Sequence, residues 1–519
     1  MRRVALLLAA ILTPSAARAL EYATPMGKWT IGGYGELYSV FRTNHNTQAQ
    51  RPAGITGLSI TGDLHPKVRV FLSGQFMAGG WPEDAKGFDL YNISDTFQNI
   101  SPSTEVEEGY VDLFLGPVDL RLGKQKFAWG KLDTFQPTDV LNTRWYNDPF
   151  LTDEQDAKIG VPAARAAWYV PALGEHLPQD VSATLVWIPV PVSTRFPVQS
   201  ERWFPPAIEV AQTIDLPPPK KVDLLETNPI RVANTVEEEN IKPVHALDQG
   251  AVGLRLGGLW GPVDWALSYY NGIETDPVLA FSPTLVYPAA RRAKRRGDPL
   301  PVVPPPNTVL DLAARSSLTP RFERIQLFGA DGSYELAGFT MRAEVAYGKD
   351  RLLPRSVQEL VSASNIYSSI GGQKKQEDAA LALGFGKRVP VDLGDLFATS
   401  DTVEWGVGVD YMVGGWMPLL QVNQTIVLDD VPTLLIDDVD TQLLLALRRA
   451  FFEERLGTEL AVIQSVSRGY TVGIARAAYD VTDHLRVRVG YLLLAGSRNS
   501  LYGQFHSNDE AFLRIRYSF

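Results

Sequence analysis

The chain has 519 residues, of which 45% are hydrophobic and 21% charged, and it contains no cysteine. It is too long for one ordinary soluble domain of roughly 150 residues, yet a single large barrel would accommodate it. The lack of cysteine excludes a disulfide scaffold, a Cys-bearing zinc or iron–sulfur site and a thiol nucleophile. The formal net charge of −10 gives no indication of a nucleic-acid partner.

Residues 1–19 have the three-part pattern of a secretory signal peptide. Two arginines form a basic head, residues 4–12 are an unbroken apolar stretch, and the segment ends in Ala17-Arg18-Ala19. We therefore expect cleavage before Leu20 and one mature domain over 20–519. The alternative is an N-terminal membrane anchor, which the shortness of the apolar stretch disfavours because a spanning helix needs ~20 residues.

From Trp29 onward the sequence alternates apolar and polar residues with a period of two, which predicts β-strands with one apolar face. In the segment 66–80, for example, Val68, Val70 and Leu72 fall on one face, whereas Arg69 and Ser73 fall on the other. Comparable runs follow in chain order at 108–116, 118–123, 251–260, 265–272, 325–329, 336–348, 403–413, 442–449, 460–466, 470–479, 485–496 and 510–519.

The connections between these runs are unequal in length. Some are turn-like, such as 116–119 and 261–264, which both read Gly-Pro-Val-Asp. Others are long and polar or proline-rich, near 130–165, 189–248 and 282–320. Short turns that alternate with long loops are typical of a transmembrane antiparallel β-barrel, with short periplasmic turns and long extracellular loops. At ~10 residues per strand, we expect an all-β barrel of about 16 strands, within a range of 14–18.

A secreted β-sandwich or β-propeller is the alternative fold, since it also alternates apolar and polar residues. Three features favour the membrane barrel: charged residues opposite the apolar face within strands, aromatic residues that border the strands, and an alternating final strand that ends in Phe519. The near-neutral mean hydropathy of −0.07 also fits a barrel whose lumen is polar.

A resemblance to a known class rests on three segments. These are 31–38, the last strand with its C-terminal Phe519, and a stretch of about 25 residues that holds Gly123-Lys124-Gln125, Trp129-Gly130 and Pro137-Thr138-Asp139. Together they resemble the porin-like outer-membrane β-barrels of Gram-negative bacteria, and the stretch is similar to alginate-export-type barrels. The resemblance implies an outer-membrane location, contact with lipids and lipopolysaccharide, and recognition of Phe519 by the barrel-assembly machinery. It also implies a possible homo-oligomer.

Strand parity predicts which charged side chains face the lumen. If Leu120, Leu254, Val487 and Ile515 face lipid, the residues beside them face inward. The candidate pore-lining residues are Arg121, Arg255, Arg342, Glu344, Arg486, Arg488, Arg514 and Arg516. An arginine cluster in a confined pore favours anionic solutes. Alternatively, these arginines brace the wall by pairing with lumen acids such as Glu36, Asp112, Glu344, Glu404 and Asp410.

The loop 133–150 is the candidate constriction because it is too apolar to float freely in water. Its candidate residues are Phe135, Asp139, Arg144, Trp145, Tyr146 and Asp148. The alternative is an extracellular lid that packs on neighbouring loops. The basic tract 291–296 is interpreted as a solvated loop tip, or else as a contact for lipopolysaccharide phosphates.

The sequence lacks the nucleotide-binding, nucleophile-elbow and H-E-x-x-H zinc motifs, and its six histidines are scattered singly. We expect no enzymatic activity, no cofactor and no metal; a hydrolase site near His506 is a minor alternative. The predicted function is an outer-membrane channel for passive or facilitated diffusion of small solutes. Two alternatives stay open: a specific transporter for hydrophobic or polymeric substrates, and a scaffold barrel that hosts a periplasmic partner.

Overall fold

A computed structural model describes residues 19–43, 53–78, 104–146, 157–171, 174, 177–192, 194, 203, 213–216, 230–236, 249–274, 278–286, 313–355, 388–390, 397–434, 436–497 and 500–519. The predicted leader therefore lies outside the described residues, except for Ala19. Within these ranges the chain is built almost entirely of β-strands, with one short 3-10 helix at Gly503–Phe505. None of the helical segments described is long and apolar enough to cross a membrane.

The strands, numbered in chain order, have the following bounds: β1 (Leu20–Thr24), β2 (Gly27–Arg42), β3 (Ala53–His65), β4 (Val68–Ala78), β5 (Thr104–Phe114), β6 (Val118–Gln125), β7 (Thr143–Arg144), β8 (Lys158–Ile159), β9 (Val161–Tyr169), β10 (Gln179–Ile188), β11 (Thr213–Leu216), β12 (Ile230–Val236), β13 (Ala251–Trp260), β14 (Val263–Ile273), β15 (Val278–Val286), β16 (Ala313–Arg321), β17 (Arg324–Leu336), β18 (Phe339–Pro354), β19 (Arg388–Pro390), β20 (Phe397–Tyr411), β21 (Trp416–Val427), β22 (Val439–Phe451), β23 (Leu456–Ser465), β24 (Tyr470–Asp480), β25 (Leu485–Gly496) and β26 (Glu510–Ser518).

Eighteen of these strands form one closed antiparallel barrel. The ring runs β2, β3, β4, β5, β6, β9, β10, β13, β14, β17, β18, β20, β21, β22, β23, β24, β25 and β26, and it closes where β26 pairs with β2. A closed ring leaves no barrel strand with an open edge, so every backbone ladder has a partner. The predicted class of fold is confirmed, whereas the central prediction of sixteen strands is wrong by two, and eighteen is the upper bound of the predicted range.

The seam of the barrel is shared by both ends of the chain. The first half of β2 pairs with β1, which lies outside the ring, and its second half pairs with β26. Beyond β26, Phe519 exchanges two backbone hydrogen bonds with Gly33, at 2.9 and 3.0 Å. The edge of β2 is thus covered along most of its length.

The connections sort to the two ends of the barrel by length. At one end, here called the turn end, the connections are short, as at 66–67, 261–262, 337–338 and 452–455. At the other end, the loop end, they are long, as at 126–160, 189–250, 274–323 and 355–396, with the short link 466–469 as an exception.

Some of the long connections contain strands that the sequence did not indicate. A five-stranded sheet, ordered β11, β12, β16, β15 and β19, joins three of them, and its β12–β16 pair is parallel. The segment 189–248, predicted only as a long connection, contributes β11 and β12. Pairing between segments some eighty residues apart leaves no local pattern, which is why the sequence did not show it.

The two faces of the barrel wall differ as the period of two requires. Outward side chains are large and apolar and remain exposed, for example Leu267 (53% exposed), Leu445 (54%) and Leu460 (58%). Inward positions hold polar and charged groups such as Glu36, Asp112 and Gln421, all of which are buried. Gln421 is covered by a segment from the loop end, because it hydrogen-bonds to the backbone of Asp133 and Thr134.

Candidate functional site

The segment 126–146, called here the lumen loop, leaves β6 at the loop end and crosses the inside of the barrel. Asp133 near its middle forms ion pairs of 3.1 Å with Arg342 of β18 and with Arg448 of β22. In the ring of eighteen strands β6 is fifth from β2 and β22 is fourteenth, so the two strands stand nine places apart. The lumen loop therefore spans the barrel between opposite walls.

A single carboxylate on β18 fastens this loop. Glu344 accepts hydrogen bonds from the backbone N–H of Lys131 and of Leu132 (2.7 Å), and from the Thr138 hydroxyl (2.9 Å) and N–H (3.4 Å). Glu344 is only 3% exposed, so these N–H and O–H donors take the place of water around its carboxylate. The loop N–H groups are in turn satisfied inside the barrel, where a missing partner would be costly.

Gly130 makes this close approach possible. A Cβ atom at this position would lie 2.8 Å from Oε1 of Glu344, and the backbone φ of +92° is unfavourable for other residues. The carboxylate of Glu344 can reach the loop backbone only because residue 130 is a glycine and has no side chain.

Inward glycines of the wall form the surface on which the loop lies. A Cβ atom on Gly253 would meet Trp129 at 2.9 Å, one on Gly329 would meet Thr138 at 2.8 Å, and one on Gly406 would meet Leu132 at 2.6 Å. Apolar loop residues thus pack directly on backbone. With Leu141, Trp129 joins a buried cluster that includes wall residues of β9, β10, β14 and β17.

The base of the loop is held by a buried ion pair. Asp139 and Lys158 are 2.6 Å apart, and both side chains are 1% exposed. Asp139 also accepts a hydrogen bond from the N–H of Trp129, and Lys158 donates one to the Phe127 carbonyl. The pair and its additional hydrogen bonds thus join the lumen loop to Lys158 of β8.

The predicted constriction residues are divided between the base and the far end of the loop. Asp139 is buried, Arg144 lies 3.4 Å from it, and Trp145 packs on the cluster that contains Trp129. Phe135, which has a φ of +56°, packs against a second cluster on the opposite wall. Tyr146 is partly buried, and Asp148 lies outside the described residues. That they narrow a conduction path stays a prediction.

All eight candidate pore-lining residues occupy inward positions, but they differ in their surroundings. Arg121 is paired with Asp112 at 2.6 Å and Arg255 with Asp331 at 2.8 Å, in the way that the bracing alternative describes. Arg342 is shared between Asp410 (2.6 Å) and Asp133 of the loop. These arginines and Glu344 are engaged by the wall or by the lumen loop.

The other arginines form a strip, called here the arginine strip, along the inner faces of β22, β24, β25 and β26. Its members are Arg448, Arg476, Arg486, Arg488, Arg514 and Arg516. In register, Arg486 stands opposite Arg516, and Arg488 stands opposite Arg514. Like charges directly opposite each other in a sheet destabilise it, so this arrangement costs stability.

Aromatic rings and a few acids surround the strip. Arg516 lies 3.7 Å from the ring centre of Tyr34 and 3.9 Å from Glu36, and Arg514 lies 4.3 Å from the ring centre of Tyr38. Arg486 pairs with Asp480 at the turn end. Glu459 bridges Arg448 and Arg476. Even with these contacts, Arg476 and Arg516 keep 35% and 38% of their side-chain surface exposed.

The sequence analysis missed several residues of this site. Arg476 lies between two alanines, so the same parity rule would have found it. Arg448 is followed by Arg449 and Glu459 is preceded by Thr458, so the alternation is less clear at these two positions. No local sequence pattern indicates the role of Asp133, because that role depends on where the lumen loop lies in the fold.

Within the described ranges, no group of three or more His, Asp or Glu residues could hold a metal ion. No protein-family model matches the chain, and no curated protein matches it.

Solved structures to which the chain is similar include OccAB1 of Acinetobacter baumannii, with 8% identity and a TM-score of 0.46 over 97% of this chain and 98% of that one. They also include OmpF of Salmonella typhi in complex with daunomycin (10% identity, TM-score 0.38, 96% and 100% covered) and a mutant of the Rh. blastica porin (11%, 0.34, 95% and 100%). Because these identities are so low, the assignment of the barrel fold rests on the strand pairing of this chain and not on the comparison.

Proposed function

We propose that this chain forms an outer-membrane channel through which small, mainly anionic solutes diffuse past the lumen loop without any bond being made or broken. The observation that carries the proposal is the lumen loop itself, which spans the barrel from β6 to β22 and is fastened there beside the arginine strip. A barrel of eighteen strands is wide enough for an aqueous path, and a loop across it would set the width.

The outer surface supports the membrane location. Outward leucines such as Leu267, Leu445 and Leu460 are more than half exposed, which suits lipid and not water. Short turns at one end and long loops at the other match the periplasmic and extracellular ends of such barrels. We infer that the turn end faces the periplasm.

The arginine strip supports the preference for anions. Arg486 faces Arg516 and Arg488 faces Arg514 across β25 and β26, which concentrates positive charge on one part of the inner wall. Arginine binds carboxylate and phosphate in a bidentate manner, and rings of one charge set the sign of the permeant ion.

Export and assembly follow from the same proposal. Residues 1–19 would direct secretion, and Phe519, which pairs with Gly33 at the seam, would be the residue that the barrel-assembly machinery reads. Lipopolysaccharide contacts and a homo-oligomer belong to the proposal as well.

The test is conductance in planar bilayers across a salt gradient. We expect the wild-type chain to form open channels with an anion-selective reversal potential, and the double variant Arg514→Glu/Arg516→Glu to shift that potential toward cations. Arg455→Glu, in the turn 452–455 outside the lumen, is the matched control and should leave the reversal potential unchanged.

If both variants insert and keep the wild-type reversal potential, the arginine strip is outside the conduction path. A wild-type chain that never conducts would contradict the proposed channel itself.

A further inference from the structure

The outer wall has a depression near the turn end, across β20–β23. It has a volume of about 450 Å³, within the ~300–1,000 Å³ range of ligand pockets. Its lining is apolar and includes outward residues of four neighbouring strands: Tyr411, Pro418, Leu420, Leu445, Leu460 and Val462.

A proline interrupts the strand ladder beside the depression. The register of β20 and β21 ends at the pair Asp410–Leu419, and the next pair would join Tyr411 to Pro418. Proline has no N–H to donate, so the ladder is interrupted here and resumes only in the two hydrogen bonds between Val413 and Trp416. The stacked rings of Phe339 and Tyr411, 4.2 Å apart, border the depression on one side.

One arginine lies directly beside the depression on the lipid-facing side. Cross-strand register places Arg449 between Trp416 and Thr458, in the row next to Pro418, Leu447 and Leu460. At ~3.4 Å per residue, its backbone is about 7 Å from that of Leu447 and about 14 Å from that of Leu445.

The guanidinium of Arg449 is held between two aromatic rings. Its central carbon lies 4.7 Å from the ring centres of both Trp416 and Phe451, where cation–π attraction fixes it. Among the described residues no carboxylate pairs with it, and its Nε atom is buried without a hydrogen-bond acceptor. The neighbouring Arg448, which faces inward, has both Glu459 and Asp133 as partners.

An outward cation without a counter-ion, placed at the mouth of an apolar depression, matches a molecule with one anionic group and a hydrocarbon chain. We propose that this part of the wall binds one phospholipid of the periplasmic leaflet, with its phosphate on Arg449 and an acyl chain in the depression. The aromatic rings beside Arg449 are typical of the headgroup level of a membrane, and arginine binds phosphate in a bidentate manner. The inference rests on the proposed membrane location and is independent of what passes through the lumen.

The experiment is native mass spectrometry of the detergent-purified chain with added phosphatidylglycerol, or with diacylglycerol, which has the same chains and no phosphate. We expect one tightly held phosphatidylglycerol per wild-type chain. Arg449→Gln should weaken its binding about tenfold and leave that of diacylglycerol unchanged. Leu445→Trp, which fills the depression, should abolish the binding of both.

The matched controls are Arg455→Gln, which removes a charge at the same end, and Leu267→Trp, which enlarges an outward leucine elsewhere; both should behave as wild type. The proposal is overturned if Arg449→Gln or Leu445→Trp binds phosphatidylglycerol as tightly as wild type. It is equally overturned if the lipid does not bind and Leu445→Trp instead dissociates a dimer, because the occupant would then be a second copy of the chain. Bilayer conductance of the same preparations reports separately on the channel.

Discussion

Glu344 shows how one buried carboxylate can decide the position of a whole loop. The change Glu344→Gln replaces an acceptor of four hydrogen bonds with a neutral amide whose NH₂ group cannot accept. Because hydrogen bonds to charged groups contribute about 1.5–3 kcal/mol, we expect the loop to open at least about tenfold more often.

Limited trypsin digestion measures this opening, since Lys131 lies in the fastened part of the loop. Cleavage after Lys131 should accelerate in Glu344→Gln and stay at the wild-type rate in Glu335→Gln, a matched change on the neighbouring strand β17. Equal rates in wild type and Glu344→Gln would show that the carboxylate does not hold the loop.

At the scale of single residues, the sequence predicted orientation and some acidic partners, such as Asp112 and Asp410, but not the contacts of the lumen loop. Parity placed Arg255, Arg342 and Glu344 on the inner face, because the period of two is a local property of the strand. That Glu344 is covered by a loop more than two hundred residues earlier in the chain has no local signature. The inward Gly253, Gly329 and Gly406 were a usable sign, because glycine in a strand interior often marks a close backbone approach.

At the scale of elements, the lumen loop makes its own prediction. If residues 131–141 are replaced by a short Gly-Ser linker, the segment that crosses the lumen is removed, and single-channel conductance in planar bilayers should rise severalfold. Shortening the connection 428–438 at the same end is the control and should have little effect, because it packs against the rim residues Leu353 and Val427. An unchanged conductance in the loop variant would mean that the constriction lies elsewhere.

The strand count shows where element prediction from sequence fails. Hydrophobic alternation revealed most barrel strands, yet β3, β9, β10 and β21 were not among the predicted runs. In β9 and β10 the polar and apolar residues alternate weakly. Their assignment depends on pairing with β6 and β13, which is information that only the folded sheet contains. The estimate of sixteen came from chain length alone, which does not show how many residues the connections take.

At the scale of the whole molecule, the proposal that lipid surrounds the barrel can be tested by comparing a charge added to the outer face with one added to the inner face. Leu267→Arg places a charge on the outer face in the middle of β14 and should reduce the free energy of unfolding in lipid vesicles by about 2–4 kcal/mol. Thr61→Arg adds the same side chain to the inner face of β3 and should cost much less. Denaturant unfolding of both variants in vesicles gives the comparison, and equal losses would contradict a bilayer around the barrel.

The seam at β2 has a consequence for the connectivity of the chain. Phe519 bonds to Gly33 and Leu20 pairs with Ile31, on the same edge of β2 and in the same direction, so β1 continues the line of β26 past the position opposite Gly32. In a chain cleaved before Leu20, as proposed, one inserted amino acid would join Phe519 to Leu20 and make β26 and β1 one continuous strand. The chain could then be opened in a connection at the loop end, which would give a circular permutant with both new ends at that end of the barrel.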